Sequence, residues 1–101
     1  MAEQRTAIVT GAGRGIGAAI ALRLAKDGNK IGVIDLREGD TNDTVEAIRA
    51  AGGEAVGVGA DVADADAVET AVKQIADSLG NPTILINNAG ILRDNLIFKM
   101  T

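Results

Sequence analysis

The sequence predicts an α/β fold in which helices cover both faces of a doubly wound parallel sheet. Short apolar segments alternate with helical patterns four times along the 101 residues, at a spacing of roughly 25 residues that is typical of this class. The apolar segments are rich in Val and Ile, as strands buried on both faces require. Only Phe98 is aromatic, so we expect a core of closely packed Ala, Val, Ile and Leu.

The positions of the elements follow from apolar periodicity and from glycines that end helices. Strands are predicted at residues 6–10, 31–35, 55–60 and 83–88. Helices are predicted to begin at Gly15, after a cap at Asp40 or Thr41, and after a cap at Asp64 or Asp66. The buried face of the first helix is expected to carry Ile16, Ala19, Ile20 and Leu24. By analogy with other doubly wound sheets, the expected strand order is 3-2-1-4.

A glycine-rich turn joins the first strand to the first helix. Residues 10–17 contain four glycines, and the spacing is Gly11-x3-Gly15-x-Gly17. Ile16 stands where the common G-x-G-x-x-G pattern has its third glycine. Such a turn lets an anion approach the backbone and the positive end of a helix. A purely structural turn is the alternative, but the strand–turn–helix context favours nucleotide binding.

Asp35 ends the second predicted strand, 20 residues after Gly15. A carboxylate at this place can accept hydrogen bonds from the hydroxyls of an adenosine ribose, and it repels a 2'-phosphate. The alternative is a strand-end Asp that caps the next turn. Arg14 and Arg37 are both candidates to pair with a 2'-phosphate. The sequence therefore favours NAD over NADP without deciding between them.

Two further strand ends carry candidate cofactor contacts. Asp61 and Val62 follow the third strand and are candidates to contact adenine, although Asp61 is equally well explained as the start of a loop. The fourth strand ends in the segment 87–90, Asn-Asn-Ala-Gly, at the point where the strand order reverses and ligands bind. Paired Asn side chains there can join adjacent loops through their amides. A common Asn-Gly turn is the alternative.

Composition and charge exclude several classes of function. The net charge of −4 argues against a nucleic-acid surface or an anionic membrane surface. The acidic residues Asp64, Asp66 and Glu69 are explained as the first turn of a helix, and their spacing is not that of a metal site. No Cys or His is present. The first residues lack an apolar signal region, so a cytoplasmic protein is expected.

These motifs, in this order, resemble the short-chain dehydrogenase/reductase family, and the stretch from Gly90 to Leu96 further resembles its 3-oxoacyl-[acyl-carrier-protein] reductase branch. The resemblance implies a Rossmann domain, a nicotinamide cofactor, a carbonyl or acyl thioester substrate and often a homotetramer. It implies pyrophosphate and ribose contacts at the glycine turn and at Asp35, adenine contacts at 61–62, and contacts to the nicotinamide-side ribose at Asn88 and its neighbours, with Asn87 bracing the sheet. The implied cofactor-binding residues are Gly11, Arg14, Gly15, Ile16, Gly17, Asp35, Asp61, Val62, Asn88, Ala89 and Gly90.

The chain departs from the family pattern in its catalytic residues. Family chemistry uses Ser, Tyr and Lys, but this chain has no Tyr, and its one Ser, Ser78, is expected to be solvated on a helix. No catalytic residue is therefore assigned. A last strand with a free edge, followed by an apolar tail, also predicts that residues 1–101 are an incomplete dinucleotide-binding portion. The alternative is a stand-alone dinucleotide-binding module without catalytic activity.

Overall fold

A computed structural model describes residues 4–13 and 15–88. In these residues four strands and three α-helices alternate, and the strands form one parallel sheet in the order β3-β2-β1-β4. The predicted fold class and strand order are confirmed. The elements are β1 (Thr6–Thr10), α1 (Gly15–Lys26), β2 (Lys30–Asp35), a 3-10 turn (Glu38–Thr41), α2 (Asn42–Ala50), β3 (Ala55–Gly59), α3 (Ala65–Leu79) and β4 (Pro82–Asn87).

The core has two layers, one on each face of the sheet. Side chains of successive strand residues point to opposite faces, so Ala7 and Val9 of β1 pack with α1 and α2, while Ile8 packs with α3. Every residue of β1 is buried. The largest fully buried apolar side chains are all Ile or Val, as expected from a sequence with so few aromatic residues.

The buried face of α1 differs from the prediction. Gly17 and Ala21 are its buried residues, and Ile20 and Leu24 pack partly against the core. Ile16 is 73% exposed, and Ala19 is exposed as well. The small residues Gly17 and Ala21 bring this helix close to the sheet, and this rotates Ile16 away from it.

The start of α2 is also different from the prediction, since neither Asp40 nor Thr41 caps it through a side chain. Thr41 occupies the cap position, but its hydroxyl donates backwards to the Glu38 carbonyl (2.7 Å). The 3-10 turn leads directly into the helix, so its own geometry uses the Thr41 side chain. For α3 the prediction left two candidates, and Asp64 is the cap: its Oδ1 accepts from the amides of Asp66 (3.0 Å) and Ala67 (3.2 Å).

At the amino ends of β1 and β2, two side chains donate to the same carbonyl. The Leu79 oxygen at the end of α3 accepts from the Thr6 hydroxyl (3.0 Å) and from the Lys30 ammonium (3.2 Å). A cation at a helix C-terminus also interacts favourably with the helix dipole. Within residues 4–13 and 15–88, no helix is long and apolar enough to span a membrane, and no acidic cluster could hold a metal ion.

Candidate nucleotide site

The carboxyl ends of β1, β2 and β4 meet at one edge of the sheet. The glycine turn follows β1, Asp35 is the last residue of β2, and Asn88 follows β4. Because β1 lies between β2 and β4, the turn has Asp35 on one side and Asn88 on the other. Among the described residues, Asp35 and Asn88 are therefore brought together with the glycine turn.

Three glycines of the turn are required for different reasons: positive φ at Gly11 and Gly15, and close packing at Gly17. Gly11 and Gly15 have φ of 61° and 63°, a conformation that is costly for other residues. A Cβ on Gly15 would meet none of the described residues 4–13 and 15–88 within 4 Å, so they leave open space above it. A Cβ on Gly17 would collide with the Gly11 carbonyl and lie 2.6 Å from the side-chain nitrogen Nδ2 of Asn88. Gly15 thus leaves room for a ligand, whereas Gly17 allows the helix to pack on the turn.

Asp35 joins the end of β2 to the glycine turn. Its Oδ2 accepts a hydrogen bond from the Gly13 amide (2.8 Å), and its Oδ1 accepts one from the amide of Leu36 (2.8 Å). A carboxylate offers about four lone-pair sites, so about two remain for a ligand's hydroxyls. Asp35 therefore lies beside the glycine turn, and its bond to Gly13 is a role that the sequence did not predict. Its contact with an adenosine ribose stays a prediction.

The two asparagines after β4 connect it to β1 and its turn. The Thr10 hydroxyl donates to Asn87 Oδ1 (2.9 Å) and accepts from the backbone amide of Asn88 (3.0 Å). The Asn88 side chain donates from Nδ2 to the Gly11 carbonyl (3.3 Å). These bonds agree with the expectation that the paired asparagines join adjacent loops, with Asn87 bracing the sheet.

Asp61 and Val62 lie in the turn between β3 and α3. This turn follows the carboxyl end of β3, the strand beside β2. Asp61 is exposed, and its Oδ1 accepts from the Ala63 amide (2.9 Å). This bond fits the interpretation of Asp61 as the start of a loop, and the exposed carboxylate keeps further lone pairs. Val62 is half-buried. Arg14, Ala89 and Gly90 lie outside the described residues.

Thr44 belongs to the site, and the sequence reasoning missed it. It lies in α2, is 3% exposed, and donates from its hydroxyl to the carbonyls of Ala12 (2.8 Å) and Gly13 (3.2 Å). One feature of the sequence could have indicated its role: Thr44 is a polar residue on the same helical face as the apolar residues Val45 and Ile48. Three successive carbonyls of the turn therefore accept from side chains. The Gly11 carbonyl accepts from Asn88, and the carbonyls of Ala12 and Gly13 accept from Thr44.

The N-terminus of α1 is suited to bind an anion, whereas the N-terminus of α3 is not. The first turn of α1 contains no acidic residue, whereas Asp64 already occupies the amides at the start of α3. Helix geometry leaves the first amides without intrahelical partners. Open space above Gly15, together with a helix N-terminus free of carboxylates in its first turn, fits the phosphates of a dinucleotide.

Comparison with known proteins agrees with this geometry. The family model described as "short chain dehydrogenase" matches residues 5–101. The chain belongs to the short-chain dehydrogenase/reductase family. Within this family it is 51% identical over 100 residues to the short-chain reductase protein NovJ of Streptomyces niveus, covering 99% of this chain and 38% of that protein.

Two further members of the short-chain dehydrogenase/reductase family are informative. The 3-oxoacyl-[acyl-carrier-protein] reductase FabG of Staphylococcus aureus is 42% identical over 101 residues, 99% of this chain and 41% of that protein. The crystal structure of a metagenomic short-chain oxidoreductase in complex with NADP has a TM-score of 0.79 and 36% identity, covering 86% of this chain and 39% of the other. The chain spans about two fifths of the length of the curated relatives it matches.

Proposed function

We propose that this chain supplies the nicotinamide-dinucleotide site of an NAD(P)-dependent oxidoreductase. The observation that carries the proposal is the convergence of three strand ends on the glycine turn. Between Asp35 and Asn88, the part of the chain that the structure describes leaves open space at Gly15. The first turn of α1 would hold the pyrophosphate, and Asp35 would accept from the adenosine ribose. Arg14, Ile16, Gly17, Ala89 and Gly90 are proposed as further walls of the same site.

The adenine would lie next to the ribose, at the end of β3. Asp61 would accept from the adenine amino group, and Val62 would pack on the ring. Asp61 keeps lone pairs beyond its bond to the Ala63 amide, which is compatible with this role. Asp61→Ala removes the acceptor, so unchanged affinity of this variant for adenosine would show that Asp61 serves only the turn.

NAD is the cofactor that the described residues favour. Asp35 is held by two backbone amides, so its negative charge stays beside the expected ribose and opposes a 2'-phosphate. Arg37 is exposed and lines a groove of about 720 Å³ that is also lined by the acidic residues Asp64 and Asp66. NADP is retained as the less favoured cofactor, and a solved relative is described as a complex with NADP.

The reaction we propose is the reduction of a 3-oxoacyl thioester or the reverse oxidation of a 3-hydroxyacyl thioester. When bound, the nicotinamide ring would exchange hydride with the carbonyl carbon of the substrate. The described residues would bind and orient the dinucleotide, and none of them is proposed to move the proton. The substrate class is suggested by the FabG relative, and a homotetramer is proposed on family resemblance.

Calorimetry with NAD and NADP on the intact protein tests the cofactor site. We expect NAD to bind more tightly than NADP, and a protein that binds neither would contradict the proposal. A second assay follows oxidation of the reduced cofactor with a 3-oxoacyl thioester and with a simple ketone as control. Turnover of the thioester supports the proposed reaction, whereas binding without turnover of either compound supports a dinucleotide-binding module without catalytic activity.

A further inference from the structure

One peptide unit of the glycine turn is bound at both of its ends. The unit joins Ala12 to Gly13, and we call it the clamped peptide. Its carbonyl accepts from the Thr44 hydroxyl (2.8 Å), and its amide donates to Asp35 Oδ2 (2.8 Å). Because a hydroxyl has one proton, the longer contact from Thr44 to the Gly13 carbonyl (3.2 Å) is the secondary one.

The core holds the clamped peptide on one side only, through Ala12, whose side chain is fully buried. Gly13 has no side chain, and a Cβ there would collide with the Asp40 carbonyl and lie 2.5 Å from Asp35 Oδ2. Glycine backbones populate many conformations, so the turn is ordered by contacts from other elements. Asp35 of β2 and Thr44 of α2 contact the clamped peptide itself. The rest of the turn is held by Asn88, which donates to the Gly11 carbonyl, and by the Ile34 carbonyl, which accepts from the Ala12 amide (3.2 Å).

Thr44 also sets the direction of carbonyl dipoles in the turn. The Ala12 oxygen is bound to the Thr44 hydroxyl and cannot rotate towards an anion without losing that hydrogen bond. The same peptide rotation that would free the Ala12 oxygen would also break the bond between Gly13 and Asp35. We propose that Thr44 is a positioning residue that orders the glycine turn for the dinucleotide pyrophosphate, an inference that rests on the proposed function.

Thr44→Val tests this role, because valine keeps the shape and removes the hydroxyl. We expect the Kd for NAD to rise about tenfold, or about 1.4 kcal/mol, within the range for one lost hydrogen bond. The Kd for adenosine, which has no phosphate, should rise less than the Kd for NAD, because the Leu36 amide still holds Asp35. Thr44→Ser keeps a hydroxyl and should restore NAD affinity to within about threefold of the original value.

Thr6→Val is the matched control. Thr6 is also buried, at 4% exposure, and its hydroxyl also donates to a backbone carbonyl, but at the opposite end of the sheet. We expect both Thr→Val variants to lower the melting temperature, and only Thr44→Val to weaken NAD binding. Equal NAD affinity in the original protein and in Thr44→Val, or an equal loss in Thr6→Val, would overturn the inference.

Two further outcomes are distinguishable. If the unsubstituted protein does not bind NAD, the proposed function itself fails, and the inference fails with it. If Thr44→Val does not fold, Thr44→Cys takes its place, because a thiol is of similar size and a weaker donor. The Cys variant should bind NAD more weakly than the Ser variant, and equal affinities of these two would also overturn the inference.

Discussion

Asp35 has two partners in the proposed complex, the ribose and the glycine turn, and two substitutions separate them. Asp35→Ala removes both, so we expect NAD affinity to fall about tenfold or more and discrimination against NADP to relax. Asp35→Asn can keep its one acceptor oxygen on the Gly13 amide (2.8 Å) but loses the charge and the bond from the Leu36 amide. It should relax discrimination with a smaller loss of NAD affinity than Asp35→Ala. Calorimetry with both cofactors measures this. Unchanged preference in both variants would assign the selection to Arg14 and Arg37.

Gly15 and Gly17 should respond differently to alanine. A Cβ at Gly17 collides with a backbone carbonyl, so Gly17→Ala should lose about 2–3 kcal/mol of stability. The methyl group of Gly15→Ala meets none of the described residues, so we expect a cost of about 1–2 kcal/mol from its positive φ, while this methyl group occupies the proposed phosphate space. Chemical denaturation and calorimetry separate the two effects. A Gly15→Ala protein that binds NAD normally would contradict the proposed location of the phosphates.

The sequence was sufficient to predict that Asp35 and Asn88 lie beside the glycine turn. Parallel strands share one carboxyl edge, so residues at strand ends can be placed from the alternation of elements alone. Thr44 could not be placed in this way. Its role depends on which side of a helix faces the turn, and on a 3-10 turn before α2 that the pattern of residues did not indicate.

At the scale of elements, β2 and α3 approach each other at a glycine. A Cβ on Gly32 would lie 2.6–3.0 Å from three side-chain atoms of Ile75, so Ile75 fills the place of a side chain on the strand. We expect Gly32→Ala to destabilise the protein by about 1–3 kcal/mol through overpacking. Ile75→Val in the same protein should recover part of this loss. Denaturant unfolding of the single and double variants measures the coupling, and strictly additive effects would contradict it.

The helix starts show why one cap could be predicted better than another. Asp64 directly precedes α3 and follows no other helical turn, so its carboxylate is free to accept from the amides of that helix. Thr41 lies at the junction of two helical segments, and its hydroxyl already donates within the first of them. Local sequence preference identifies cap residues, but it does not show which backbone group such a residue will contact.

At the scale of the whole molecule, ligand binding should stabilise the fold as well as the site. The proposed ligand contacts elements from β1 to β4, so it binds the folded chain and not the unfolded one. At a NAD concentration of one hundred times Kd, we expect a gain of about 2.7 kcal/mol, which calorimetric or spectroscopic melting would detect. NADP at the same concentration should give a smaller shift, and no shift with either cofactor would contradict specific binding.

The clamped peptide also provides a reporter for nuclear magnetic resonance. Loop amides usually exchange their protons quickly, but the Gly13 amide donates to a carboxylate, an arrangement that gives strong hydrogen bonds. Its proton should therefore exchange slowly for a residue in a turn. Because Asp35 and Thr44 hold the two ends of one peptide unit, a single resonance would follow events on both β2 and α2, including changes that leave the rest of the spectrum unaltered.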